Sequence, residues 1–194
     1  MAATLNIVVV EPDRDRALAI VDALRAEGDH DVLVLGDATG LARRIAARAP
    51  DLVLIDVADP SRDAVEDLAH ASGPLDRPVA LFVDRSPAGA ALAAAEAGVA
   101  AYVAGGLDPA RLAPVLEAAV ARWTVARRLR GELAETRRAL EERKVIDRAK
   151  GLLMKAKGLD EAEAYALLRR SAMDRGRRVA EVAAALVDAA DLLS

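Results

Sequence analysis

The chain has no cysteine and almost no aromatic side chain: one Trp, two Tyr and one Phe in 194 residues. The first absence excludes disulfides, thiol catalysis and cysteine-ligated metal, and suits a reducing compartment such as the cytoplasm. The second leaves the core to Leu, Val, Ile and Ala. Only two histidines occur, His30 and His70, both in polar stretches, so a His-based triad or metal site has little support. No apolar run approaches the roughly 18 residues that span a membrane. The start, MAATLNIVVVEPD, lacks the basic region of a secretory signal. No phosphate-cradling glycine loop stands out, AGG at 104–106 being too short, and no nucleophile–base pair does. An enzyme is the least expected class.

What is present is an alternation. Leu5–Val10, Val32–Leu35, Asp51–Asp56, Pro78–Val83 and Ala100–Val103 are short apolar runs of strand length. Helical patterns separate them. Continuous apolar strands alternating with helices predict a parallel sheet covered on both faces, an α/β flavodoxin-like fold of five strands. In such sheets the functional site lies at the carboxyl ends of the strands. Glu11, Asp13, Asp56 and Asp84 fall there. An oxygen-rich cluster of this kind suits a hard cation such as Mg²⁺. No other cofactor is implied.

Beyond this half the charge changes sign. Residues 122–178 hold 17 Lys and Arg against 9 Asp and Glu, a net +8, whereas the whole chain is −4. The remainder therefore carries −12. Segregation of this kind is expected of a polyanion-binding module joined to an acidic domain.

Asp108-Pro109 reads as a helix start, with Asp as N-cap and Pro at the first helical position. Pro114 delays or kinks the first turns. From there the chain can stay helical to Lys157. Leu112, Ala119, Ala126, Leu133 and Leu140 recur every seven residues, with Val115, Leu129 and Thr136 filling positions three further on. The spacing predicts a coiled-coil seam, hence a homodimer, with Ala126, Leu129, Leu133 and Leu140 as its central part. Leu116 and Trp123 are expected to pack on the first domain. A simple helical spacer is the competing reading.

In the last turns of that helix Val145, Ile146, Ala149, Leu152, Leu153 and Ala156 share one face, and Arg143, Lys150 and Lys157 lie opposite. Gly158 fits a helix C-cap. Asp160 with Glu163 forms a capping-box pattern for the next helix. There Tyr165, Arg169 and Met173 follow at i, i+4 and i+8. Arg175-Gly176-Arg177-Arg178 breaks that helix, and Val179–Leu193 forms a third.

The run IDRAKGLLMKAKGLDEAEAYALLRRSAMDRGRRVAEVA resembles the ANTAR domain, an RNA-binding antitermination module. The motifs that carry the resemblance are AKGxLM, EAYxxLR and AM, in order. It implies that the helices bind paired stem-loops in a nascent leader mRNA and keep a terminator from forming. Lys150, Tyr165 and Arg169 occupy motif positions. Arg148, Lys155, Lys157, Arg170, Arg177 and Arg178 join them on charge alone. RNA loops are read by phosphate contacts plus stacking on splayed bases. With a single Tyr in this region, stacking is a small part. Gly176 departs from the Asn that the motif carries.

Residues 1–120 resemble the receiver domain of response regulators. Asp56, closing PDLVLID, falls on the phospho-acceptor position, and Glu11 matches the first acid after strand one. The second acid is replaced by Pro12, with Asp13 one step on. The switch hydroxyl after strand four is replaced by Val83, and the lysine after strand five by Gly105. Pro12 offers no metal ligand, Val83 no hydroxyl and Gly105 no cation. Two readings of Asp56 follow. It is a phosphorylated aspartate, or it is a strand-end acid kept in a pseudo-receiver that switches by protein contact, the reading favoured here.

The expected organisation is a receiver-like domain at 1–120, a connecting helix with coiled-coil character at 108–145 and a three-helix ANTAR module at 132–194. The resemblance is nearest the nitrate/nitrite-assimilation antiterminators. It implies a ligand-sensing regulatory protein as partner. The rivals are a phosphorylation-switched regulator with the same RNA output, a DNA-binding regulator and a protein-interaction adaptor.

Overall fold

The computed structural model describes residues 4–37 and 39–192. It divides into two units, Met1–Arg128 and Leu129–Ser194, taken here in turn.

The first unit is a five-stranded parallel sheet in the order β2-β1-β3-β4-β5. The strands are β1 (Asn6–Val10), β2 (Asp31–Leu35), β3 (Leu52–Val57), β4 (Val79–Val83) and β5 (Ala101–Ala104). Helices α1 (Arg14–Glu27), α2 (Leu41–Arg48), α3 (Arg62–Ala71) and α4 (Ala90–Ala97) connect them. Strand periodicity sends alternate residues to opposite faces. Val8, Val10, Val53, Ile55, Val79 and Leu81 pack on one side with Leu41, Ile45 and Val65 of α2 and α3. Ile7, Val9, Leu52, Leu54 and Phe82 pack on the other with Ile20 and Leu24 of α1. Burial on both faces is why these strands read as unbroken apolar runs.

The register aligns Val10 with Ile55 and Asp56 with Phe82. The carboxyl ends of β1, β3 and β4 thus lie together, where Asp56 is the penultimate residue of β3 and Glu11 and Asp84 directly follow β1 and β4.

After β5 a 3₁₀ turn, Pro109–Arg111, is capped by Asp108, whose Oδ1 accepts the Ala110 N–H at 3.0 Å. The regular helix α5 begins at Leu112 and runs to Lys157. Pro114 lies in its first turn, where it forfeits no intrahelical hydrogen bond. Leu112, Leu116 and Ala119 are buried against the sheet. Trp123 Nε1 donates to the Pro74 carbonyl at 2.9 Å, and its ring carries the Arg127 guanidinium 5.2 Å from the centroid. The first two heptad positions, Leu112 and Ala119, therefore belong to the receiver-like core instead of a seam. From Val125 onward the stripe is open, with Leu129, Leu133 and Leu140 each about half exposed.

The second unit folds the end of α5 with α6 (Glu161–Asp174) and α7 (Val179–Leu192). Leu193 lies outside the described residues. Gly158, at φ 66°, ends α5 and donates its N–H to Met154 O at 2.9 Å. Both halves of the Asp160/Glu163 capping box form. Gly176, at φ 60°, makes the turn into α7. The core is built from small side chains: Ala149, Leu153, Ala164, Leu168, Ala172, Val182, Ala183 and Val187. Alanines at the contacts let the helix axes approach closely. Ala156, expected on this face, is exposed. It lies in the last turn of α5, just before the chain leaves the helix at Gly158.

No helix of the described residues is long and apolar enough to cross a membrane.

Candidate functional site

Two places concentrate charge and chemistry. The first is the strand-end acidic site. Glu11 and Asp56 are almost completely buried, at 4% and 1% exposure. Between them and Asp84 lies one guanidinium, that of Arg16, from the first turn of α1. Arg16 Nη2 is 2.7 Å from Asp56 Oδ1, and its Nε donates to Asp56 Oδ2 at 3.2 Å. Its Nη1 and Nη2 fork onto Asp84 at 2.8 and 3.2 Å. Its Nε also stands 3.2 Å from Glu11 Oε2. These carboxylates hold the Arg16 pKa above its ordinary value, Asp84 contributing most and Asp56 next. Burial pushes the Glu11 carboxyl up to about 7, with the neighbouring Asp56 carboxylate adding to the effect. The Asp13 N–H, which donates to Glu11 Oε1 at 2.7 Å, and the Arg16 charge pull the other way.

Asp13 is not drawn into this cluster. Its carboxylate caps α1, accepting the Arg16 N–H at 2.9 Å. Pro12 is exposed, Val83 is fully buried in the sheet, and Gly105 sits at φ 99° with no side chain to offer. Gly106, at φ 82°, approaches Asp84 so closely that a Cβ there would lie 2.8 Å from Asp84 Oδ1. The backbone thus leaves space for Asp84 to turn toward Arg16. Tyr102 OH is 2.9 Å from Ser86 Oγ. Sequence reasoning put Asp84 at the correct end of the sheet but missed Arg16. The available signal was its position, three residues after an N-cap at the acidic end of the sheet.

A receiver fold implies Mg²⁺ at this place. Mg²⁺ needs oxygens at about 2.0–2.1 Å in near-octahedral array. Here guanidinium nitrogens stand among the oxygens at hydrogen-bonding distance. Among the described residues no group of three or more acidic or His side chains converges as a metal site. The residues as arranged do not fit the ion.

The second place is the basic surface of the three-helix unit. Lys150, expected to face outward, is only 14% exposed. Its ammonium lies 2.7 Å from Asp147 Oδ1 and 2.6 Å from Glu161 Oε1. Those two carboxylates raise the Lys150 pKa, Asp147 first, and Lys150 lowers that of Asp147. Arg148 pairs with Asp191 at 2.6 Å, Arg178 with Glu142 at 2.8 Å and Arg177 with Glu181 at 3.2 Å. Lys155, Lys157, Arg169 and Arg170 are exposed. No ion pair to these four is seen among the described residues. Tyr165 is 45% exposed and Met173 71%. A tyrosine and a methionine in the open, on the helix that carries Arg169, make a surface with stacking and cationic groups side by side. Residues 143, 147, 150, 151, 154 and 161 line a polar recess next to it, of about 420 Å³.

Residues 134–187 match the model of the ANTAR domain. Over 184 residues the chain is 32% identical to the transcriptional regulatory protein PdtaR of Mycobacterium tuberculosis, covering 93% of this chain and 90% of that one. The chain belongs to the PdtaR family of ANTAR-domain transcriptional regulators. The regulator also shares 48% identity over 59 residues with the nitrate regulatory protein of Klebsiella oxytoca, a match covering 30% of this chain and 15% of that protein. Its sheet domain has the fold of the receiver domain of the response regulator NarL of M. tuberculosis, at TM-score 0.51 and 22% identity over 61% of this chain and 98% of that one. The two halves of the regulator are therefore a receiver-like domain and an ANTAR domain joined through one helix.

Proposed function

We propose that the regulator is a transcription antiterminator that binds a two-hairpin leader RNA through its ANTAR unit. The observation that carries this reading is the exposed set Lys155, Lys157, Tyr165, Arg169 and Arg170, cationic and stacking side chains on one small unit. Phosphate contacts supply affinity, and stacked loop bases supply orientation. Arg148 and Arg178 pair across helices with Asp191 and Glu142, and Arg177 pairs with Glu181 one turn on. They tune the surface instead of supplying its first contacts. RNA bound in this way stabilises a form incompatible with the terminator.

Two units per molecule of RNA require a dimer. The open stripe Ala126, Leu129, Leu133 and Leu140 is the seam we assign to it. The likeness of the ANTAR segment to a nitrate regulatory protein supports nitrate or nitrite assimilation genes as targets. With no hydroxyl at Val83 and no cation at Gly105, the receiver-like domain switches by contact with a ligand-sensing protein, in the cytoplasm, without phosphoryl transfer.

The test is a gel shift on a two-hairpin leader RNA, each loop mutated in turn, with duplex DNA as control. Tight binding that needs both loops is expected. Equal affinity for duplex DNA would replace this reading with a DNA-binding one.

A further inference from the structure

We infer that Arg16 is the resident cation of the receiver-like acidic site, and that its guanidinium excludes divalent metal from Asp56. The inference deepens the pseudo-receiver part of the proposed function and is independent of the RNA output.

Three carboxylates meet at the strand ends, two of them buried. Uncompensated, they would repel one another strongly or take up protons. In a metal-dependent site a divalent ion removes the conflict. Here Arg16 offsets part of it, with contacts from 2.7 to 3.2 Å to all three. Glu11 Oε2 and Asp56 Oδ1 are buried, and among the described residues neither has a well-formed hydrogen bond. The charge of Arg16 is what faces them.

Guanidinium geometry explains the residue type. Its planar fork spans Asp84 with two nitrogens while Nε and Nη2 reach Asp56. A lysine ammonium is a point charge without that reach. Asp84 and Gly106 are part of the same arrangement. Asp84 anchors the outer edge of the guanidinium, and Gly106 leaves the room in which Asp84 does so. A divalent ion must displace a cation already held by a fork onto Asp84 and by a hydrogen bond and an ion pair to Asp56. It must also accept a ligand set from which Pro12 and Asp13 are missing, since Asp13 is committed to the α1 cap.

The test is Mn²⁺ binding to the full chain, read by electron paramagnetic resonance of the free ion. The native protein is expected to bind no Mn²⁺ at millimolar concentration. Arg16→Gln is expected to bind it at least tenfold more tightly than that limit, and Asp56→Asn in the Arg16→Gln background is expected to abolish the gain. A native protein that binds Mn²⁺ at Asp56 as tightly as Arg16→Gln overturns the inference. So does an Arg16→Gln protein with an unchanged circular dichroism spectrum and no gain, because its buried carboxylates would then have resolved their repulsion by protonation. Should Arg16→Gln not fold, the native protein decides. Its Arg16 Nε–H resonance is expected to exchange slowly and to stay in place when Mg²⁺ is added. Movement of that resonance on adding Mg²⁺ overturns the inference. Hairpin binding measured in parallel separates a failure here from a failure of the RNA reading.

Discussion

Lys150 and Glu161, eleven residues apart in the chain, meet at 2.6 Å across the turn that joins α5 to α6. Lys150 is also held by Asp147 from its own helix. The lysine of the AKG motif is thus already partnered within the protein. A phosphate can use it only by competing with two carboxylates. Glu161→Gln removes one competitor and leaves the shape intact. We expect about two- to fivefold tighter hairpin binding and a steeper salt dependence, since one more cation becomes available to displace counterions. Unchanged affinity and slope in a salt titration would assign Lys150 to the helix junction alone.

The unpaired cations should behave differently. Lys155→Ala with Lys157→Ala, or Arg169→Ala with Arg170→Ala, removes groups that face solvent. Each pair is expected to weaken binding uniformly across hairpin sequences. Each should lower the slope of log K against log salt by about one to two. Fluorescence anisotropy at four salt concentrations measures this. Slopes equal to the native value would move the phosphate track elsewhere.

Tyr165 offers a ring and a hydroxyl on an exposed surface. Stacking needs the ring alone. Tyr165→Phe should therefore bind the hairpins as the native protein does, and Tyr165→Ala should lose about 1–3 kcal/mol. A loss in both variants would point to a hydrogen bond from the hydroxyl as the contact.

Much of this was legible in the sequence, and the reasons can be named. Val8, Val53 and Leu81 announce themselves because a parallel sheet buries both faces, so the strands are apolar without interruption. Gly158, Asp160, Glu163 and Gly176 announce the helix ends because caps and left-handed turns admit few residue types. Contacts between distant side chains have no such local grammar. Nothing near Arg16 in sequence says that it reaches Asp56, 40 residues on, and Asp84, 68 residues on. Helical spacing put Lys150 on the outer side of α5, but the next helix starts beside it and brings Glu161 over it. The heptad repeat begins at Leu112, yet its first positions serve a different core, because periodicity reports that a face is apolar without naming what covers it.

The Glu11 carboxyl gives a pH signature. Its ordinary value is near 4.5, and in the folded protein it stands at about 7. Between those values the folded state holds a proton that the unfolded state has released. Its contribution to stability is present in full below about 4.5 and is lost as pH rises to about 7. Glu11→Gln should flatten that decline and leave the variant more stable than native at pH 8, by about 1–2 kcal/mol. Urea unfolding at pH 5, 6, 7 and 8 reads the slope. Parallel pH profiles for the two proteins would mean that Glu11 ionises normally.

The open stripe of α5 makes a further prediction. Leu129 and Leu133 are about half exposed, so charging them should spare both cores. Leu129→Glu with Leu133→Glu should sediment as a monomer with an unchanged far-ultraviolet spectrum. It should also lose the requirement for two hairpins. A variant that keeps the native mass in analytical ultracentrifugation would remove these residues from the seam.

Gly105, Val83 and Arg16 together constrain what chemistry the acidic site can be given. Receiver-type phosphoryl chemistry could not be installed here by one substitution. A lysine at Gly105 would have to adopt φ 99°, where side chains are strained. A threonine at Val83 would place a hydroxyl in a position with no solvent access. Either change alone would still meet the Arg16 plug, and removing Arg16 first would leave buried acids facing one another. On the function proposed above, the acidic site is closed and the outer surface of the domain is where a partner acts.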